Sequence, residues 1–215
     1  MGVKAGPRIV KDGLVFDVDA AAIRSYSGSG ITANGLVAGL GATLVNGVGF
    51  GTTNNGYFIF DGSNDYINAG NDTNIQISSG TISAWARTSS AGGGFRGIVA
   101  KQFAYGIFYN DNVFVAYDWQ ASATRSSAIN IADGSWKNVV LTFSGGTGNL
   151  YLNGSLVSTH TYNISNNLSN LFIGAEANAN QYAACNIAQV LVYNRVLSVQ
   201  ELLQNYNATK RRYGL

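Results

Sequence analysis

The sequence has 215 residues, of which 11% are charged, and its formal net charge at pH 7 is +2. This low charge comes without a long polar tract, which argues against an intrinsically disordered chain. No apolar run reaches transmembrane length and the first residues lack the apolar core of a signal peptide, so we expect a globular protein without membrane insertion. Its single cysteine, Cys185, excludes an intrachain disulfide.

Basic residues concentrate at the two ends of the chain. The six terminal cations are Lys4, Arg8, Lys11, Lys210, Arg211 and Arg212. Removing these six from the 13 Lys and Arg residues leaves seven, against 11 Asp and Glu residues, so the body carries about −4. Two basic ends on an acidic body predict docking onto an acidic partner surface, and solvated tails are the alternative. We expect no nucleic-acid binding, because the bases of the body are scattered.

The predicted elements begin with an extended arm at residues 1–12, because Pro7 is incompatible with a helix interior. A first strand follows at residues 14–18, and the glycine-punctuated residues 25–43 are predicted as a long loop. Apolar runs bounded by turn residues then predict further strands. These strands cover residues 57–60, 66–67, 81–87, 97–101, 105–109, 113–119, 171–174 and 187–193.

The strongest local signal is a three-strand meander between Trp136 and Ser158. Val139, Leu141 and Phe143 alternate with smaller or polar residues, which is the two-residue period of a strand. Asn153-Gly154 predicts a hairpin turn of type I′. With strands recurring about every eight to twelve residues, the pattern predicts an all-β, two-sheet antiparallel sandwich.

One short helix is predicted near the C-terminus. Ser198 is its N-cap and Glu201, three residues later, completes a capping box. Leu197 and Leu202 provide a hydrophobic staple. We expect this helix to end near Asn207 and the segment 208–215 to be a basic tail.

Four ordered motifs carry a family resemblance. They are FDGSNDYI at residues 60–67, TISAW at 81–85, WKNVVLTF at 136–143 followed by LYLNG at 150–154, and IAQV to YNR at 187–195 followed by the capping box. Together they resemble the laminin-G-like, concanavalin A-like lectin/glucanase family. The resemblance implies a jelly-roll domain over residues 13–207.

A narrower resemblance concerns the two ends of the sequence. GPRIV at residues 6–10 and QNYNAT at 204–209 are similar to the ends of jelly-roll proteins from tailed-phage virions, including cyanophage-like ones. This similarity implies a non-enzymatic virion protein, either a capsid decoration or a tail or fibre component. Such a protein is expected to be a homo-oligomer bound to other virion proteins through its basic ends.

A lectin-like function is the alternative, with host surface glycans as the ligand. Tyr105, Tyr109, Tyr117 and Trp119 lie on adjacent predicted strands, where aromatic rings stack against sugars. Core filling or a subunit interface uses the same kind of residues and is the favoured alternative for these four.

Catalysis is not expected, because glycoside hydrolysis needs a pair of carboxylates. The sequence has two glutamates, of which Glu201 belongs to the helix cap and Glu176 stands alone after Gly174. The single histidine, His160, has no acidic residue nearby in sequence and is assigned a structural or surface role. No resident cofactor is expected. Calcium is a weaker alternative, with Asp61, Asp65, Asp111 and Asp118 as candidate ligands and turn formation as the competing role.

Overall fold

The structure is a computed structural model that describes residues 7–37, 39–165, 168–176 and 181–215. These residues form sixteen strands, one α-helix and three short 3₁₀ helices. The strands are β1 (Leu14–Asp19), β2 (Thr32–Asn34), β3 (Gly41–Val45), β4 (Gly49–Gly51), β5 (Tyr57–Asp61), β6 (Tyr66–Asn68), β7 (Gly80–Arg87), β8 (Phe95–Lys101), β9 (Tyr105–Asn110), β10 (Val113–Asp118), β11 (Ala123–Asn130), β12 (Lys137–Ser144), β13 (Thr147–Leu152), β14 (Ser155–Thr161), β15 (Leu171–Ile173) and β16 (Ala184–Tyr193). The helix is α1 (Val199–Thr209), and the 3₁₀ helices are Thr53–Asn55, Thr73–Ile75 and Lys210–Tyr213.

The strands form two antiparallel sheets of eight strands each. In one sheet the order is β14-β13-β12-β7-β16-β5-β4, and β1 also pairs with β16. In the other sheet the order is β11-β10-β9-β8-β15-β6-β3-β2. We call the first the covered sheet, because helix α1 packs on its outer face, and the second the open sheet. The predicted all-β sandwich with one short C-terminal helix is confirmed, and its architecture is that of a concanavalin A-like jelly roll.

The core lies between the inner faces of the two sheets and follows the predicted alternation. Ile82, Ala84 and Ala86 of β7 point inward, whereas the intervening Trp85 lies on the outer face. The meander is also confirmed, because β12, β13 and β14 pair in sequence. Asn153 and Gly154 both have positive φ, at 51° and 81°, as the type I′ turn requires.

Several short strands were not predicted. The predicted loop at residues 25–43 contains β2 and the start of β3, each pairing at one end of the open sheet. The strands β4 and β11 were also missed. Strand β11 is a polar edge strand interrupted by a register shift and by a positive φ of 59° at Ala128, so it lacks the apolar alternation that identifies a strand.

Helix α1 covers the outer face of the covered sheet. The predicted capping box is present, with Ser198 Oγ accepting from Glu201 N and Glu201 accepting from Ser198 N. Leu197 and Leu202 join one buried cluster on this face. Trp85 donates a hydrogen bond to Thr209 Oγ1 over 2.8 Å, which fixes the end of the helix to the sheet.

Both chain ends pack against this covered face. The tail predicted at residues 208–215 is instead folded, because helix α1 continues to Thr209 and the ring of Tyr213 stacks on Trp85 at 4.2 Å between centroids. In the predicted arm, Val10 is buried and its N–H donates to Asn205 Oδ1 over 2.8 Å. Burial of these two anchors explains why the described parts of both ends lie on the domain. Residues 1–6 of the arm lie outside the described residues.

Candidate functional site

The outer face of the open sheet carries four aromatic rings, which we call the aromatic tetrad: Phe95, Phe108, Tyr117 and Trp119. Phe95 contacts Phe108 and Tyr117 edge to face, with centroids 5.9 and 5.4 Å apart. Trp119 contacts the same two neighbours at 5.9 and 5.5 Å. Each ring therefore touches two others, and the four close a cycle on a face that no helix of the described chain covers.

A cavity of about 290 Å³ opens beside the tetrad. It is lined by all four rings and by the polar side chains of Gln102, Glu176 and Gln181. Glu176 is only 5% exposed, and Gln102 donates a hydrogen bond to its carboxylate. Burial raises the pKa of Glu176 to about 7, and the bond from Gln102 opposes that rise. Aromatic walls with a few convergent polar groups are the usual composition of a small-ligand site.

Glycine at position 97 allows the polar wall to approach the sheet. A Cβ atom at Gly97 would lie 2.3 Å from the carbonyl carbon of Ala175. The amide of Gly97 donates to Gln181 O over 2.9 Å, and the amide of Gly174 donates to Ile98 O over 3.0 Å. The backbone on either side of Glu176 is thereby held against β8, which positions the carboxyl at the cavity.

The four aromatic residues predicted from the sequence do not share one face. Tyr117 and Trp119 line the cavity, but Tyr105 and Tyr109 are 0% and 1% exposed and belong to the core between the sheets. This corrects the expected placement of the two tyrosines. The cause is the β9–β10 register, in which Phe114 pairs with Tyr109, so odd-numbered residues point inward on β9 and outward on β10.

The predicted docking residues are divided between surface and interior. Arg212 forms a two-pronged salt bridge with Asp19, so its charge is neutralised within the fold and does not contribute to a docking surface. Arg8, Lys11 and Arg211 are exposed and Lys210 is half-buried, with its ammonium over the ring of Tyr206. Lys4 lies outside the described residues.

The aspartates considered for calcium are each occupied in a different turn or pair. Asp61 accepts from Ser63 N, and Asp65 accepts from Asp61 N. Asp111 accepts from Gly94 N. Asp118 pairs with Arg125 over 2.9 Å and also accepts from two backbone amides. Within the described ranges, no group of three or more acidic, histidine or cysteine side chains could hold a metal ion.

The remaining candidates for chemistry are dispersed. His160 Nε2 contacts Ser126 O at 3.0 Å, which ties β14 to β11 across an edge of the sandwich. Glu201 pairs with Arg195 in the helix cap. Among the described residues that line the cavity, Glu176 is the one carboxyl. No helix in the described part of the chain is long and apolar enough to cross a bilayer.

Sequence reasoning missed most of the polar wall. Gln102 lies in the β8–β9 turn, and Glu176 and Gln181 lie in the chain between β15 and β16. They are brought together by sheet pairing and not by any motif. The scarcity of glutamate, two in 215 residues, was the one signal that could have drawn attention to Glu176.

The family model of the concanavalin A-like lectin/glucanases superfamily matches residues 61–203. The chain belongs to this superfamily. The match begins within the FDGSND turn and ends inside helix α1, so it includes all three strands of the meander and both sides of the cavity. No protein with a curated description matches the chain in sequence.

Solved structures with this superfamily's fold share little sequence with the chain. The binding domain of Paraclostridial Mosquitocidal Protein 1 is 17% identical with a TM-score of 0.73, over 91% of this chain and 52% of that one. Trypanosoma rangeli sialidase in complex with sialic acid is 15% identical with a TM-score of 0.74, over 96% and 35%. Domain 4 of AbnA, an arabinanase from Geobacillus stearothermophilus in complex with arabinotriose, is 11% identical with a TM-score of 0.70, over 90% and 98%. The chain thus spans about half of the first structure and a third of the second.

Proposed function

We propose that this domain is a non-catalytic carbohydrate-binding module whose sugar site is the cavity beside the aromatic tetrad. The observation that carries the proposal is the combination of half-exposed Tyr117 and Trp119 with Gln102, Glu176 and Gln181 around one cavity. Aromatic faces pack on the apolar faces of sugar rings, and carboxyl and carboxamide groups exchange hydrogen bonds with hydroxyls. A volume near 290 Å³ suits one sugar unit at the end of a glycan.

The chemistry of the cavity favours binding over hydrolysis. Glycosidases place two carboxyl groups on either side of the scissile bond, about 5 to 10 Å apart. Glu176 has no second carboxyl beside it in the described lining. The solved structures in complex with sialic acid and arabinotriose share the fold, which makes a sugar ligand a reasonable class to test.

A glycan array followed by calorimetric titration tests the proposal. Trp119→Ala should abolish binding of the best array ligand, because it removes one wall of the tetrad. Tyr57→Ala is the matched control, since Tyr57 is a half-buried aromatic residue on the covered sheet, in contact with Trp136 and outside the cavity lining. Equal loss in both variants, or no binding to any glycan by the wild type, would overturn the proposal.

A second proposed role is that of a virion component, docked through the face that carries the chain ends and assembled as a homo-oligomer. Pro7 lines a surface cavity together with Lys210 and Arg211, so the two basic ends meet on one patch. Helix α1 beside this patch lies on the covered sheet, so the docking face and the sugar site lie on opposite outer faces of the sandwich. Such a domain could bind an acidic particle surface while it presents the cavity to a host glycan.

Charge reversal tests the docking role better than deletion, because deletion would remove buried Tyr213. Lys210→Glu with Arg211→Glu should reduce incorporation into particles, whereas Arg24→Glu, an exposed arginine of the body, should not. Unchanged incorporation of the double variant would contradict docking through this patch. Light scattering of the purified protein tests the expected homo-oligomer.

A further inference from the structure

The charge of the cavity restricts which sugars it can bind. Among the described residues that line it, Glu176 supplies the one carboxyl, no lysine or arginine is present, and Gln102 and Gln181 are neutral amides. Glu176 as a residue is 5% exposed, and its carboxyl accepts a hydrogen bond from Gln102 at the cavity. A buried carboxyl without a cationic partner is completed most favourably by a ligand that brings a positive charge.

The aromatic tetrad favours the same kind of ligand. The faces of aromatic rings carry negative partial charge and attract cations within about 6 Å of the ring centre. Neighbouring rings of the cycle meet at angles between 62° and 87°, and among them Tyr117 and Trp119 are half-exposed at the cavity. Because Tyr117, Trp119 and the carboxyl of Glu176 line the same cavity, an ammonium group there can contact an aromatic face and a carboxyl together.

We propose that the cavity selects glycans with a free amino sugar, whose protonated amine contacts Glu176 while the sugar ring packs on the tetrad. This inference rests on the proposed carbohydrate-binding function and names its ligand class. An N-acetylated amine has no charge to offer Glu176. An acidic sugar would place its own carboxylate against Glu176, and like charges at such short range repel.

The test compares four ligands in calorimetric titrations of the full chain at pH 7: a glucosamine oligomer, its N-acetylated form, a neutral glucose oligomer and a sialylated oligosaccharide. We expect the free amine to bind at least about tenfold more tightly than the N-acetylated form. Glu176→Gln keeps the shape of the side chain and removes its charge. This variant should lose the preference and bind the amine and the neutral oligomer equally, while Trp119→Ala should lose all binding.

The alternative outcomes separate this inference from the proposed function. Tighter binding of the neutral or sialylated ligand, or an undiminished amine preference in Glu176→Gln, would overturn the amino-sugar selection and leave carbohydrate binding intact. Absence of binding to all four sugars and to every glycan of the array would overturn the carbohydrate function itself. Added NaCl provides a second measurement that does not depend on a variant: it should weaken binding of the amine and leave binding of the neutral oligomer unchanged.

Discussion

Arg212 and Asp19 form a two-pronged salt bridge, with Nη1 2.8 Å from Oδ2 and Nη2 2.9 Å from Oδ1. Both side chains are mostly buried, so removal of one leaves the other with an uncompensated charge. Arg212→Leu should therefore lower the free energy of unfolding by about 2 to 4 kcal/mol. Its exposed neighbour Arg211 provides the control, and Arg211→Leu should change stability by less than about 0.5 kcal/mol. Urea unfolding of both variants makes the comparison, and equal effects would mean that the bridge has no stabilising role.

The ring of Tyr213 makes the end of the chain part of the fold. It stacks on Trp85 at 4.2 Å and contacts Trp136 at 4.9 Å. Tyr213→Ala should cost about 3 kcal/mol of stability, since it opens a gap between two tryptophans. Leu215→Ala, two residues later at an exposed position, should have almost no effect. Thermal unfolding monitored by tryptophan fluorescence would show the difference, and a Tyr213→Ala protein as stable as the wild type would restore the interpretation of a free tail.

Gly97 should be required for sugar binding although it is not in the cavity lining. Its alanine variant forces the backbone at Ala175 away from β8, and Glu176 moves with it. We expect Gly97→Ala to weaken binding about tenfold or more while the protein stays folded. Gly41→Ala is the control, because a Cβ at Gly41 meets nothing within 4 Å and its φ is not in the left-handed region. If both alanine variants bind like the wild type, Gly97 does not position the polar wall.

The stability of the protein should fall as pH rises from 5 to 8. The pKa of Glu176 is raised from 4.5 to about 7 by burial, so the folded state binds more protons than the unfolded chain between these values. The described groups that line the cavity with it, Gln102, Gln181 and the tetrad, carry no second charge. Glu176→Gln should remove about 2 kcal/mol of this loss in the free energy of unfolding. The figure is smaller than the pKa shift alone would give, because the cavity opens to solvent and water weakens the effect of burial.

Two other carboxyls provide internal checks on this pH dependence. Burial also raises the pKa of Asp17, to about 6, so the stability that protonated Asp17 provides is lost at a lower pH than that of Glu176. This loss should be the same in the wild type and in Glu176→Gln. The hydrogen bond from Arg195 lowers the pKa of Glu201 to about 2, so Glu201→Gln should reduce stability equally at every pH from 5 to 8. Urea unfolding at several pH values makes the measurement. A decline that is as steep in Glu176→Gln as in the wild type would contradict burial of an ionisable carboxyl at the cavity.

Local patterns in the sequence predicted most of the core strands and the helix. The alternation of Val139, Leu141 and Phe143 and the Asn153-Gly154 turn act over neighbouring residues, and both are found in the structure. The capping box of Ser198 and Glu201 is similarly local. The short strands β2 and β4 could not be predicted, because three residues are too few to show a period.

The site depended on information that local patterns do not carry. The two-residue turn at Asp111 and Asn112 pairs odd-numbered residues of β9 with even-numbered residues of β10. This register decides that Tyr109 points inward while Tyr117 points outward. Glu176 reaches the tetrad because Gly97 lets the backbone of Ala175 and Glu176 approach β8. The approach of Ala175 to Gly97 joins residues far apart in sequence, so only the folded chain shows it.

The most direct measurement is a structure of the protein bound to the tightest oligosaccharide from the glycan array. A sugar ring packed on Trp119 and Tyr117, with one polar substituent within hydrogen-bond distance of Glu176, is the predicted result. A sugar on the face that carries helix α1, or at an edge of the sandwich away from the tetrad, would contradict the assignment of this cavity as the binding site.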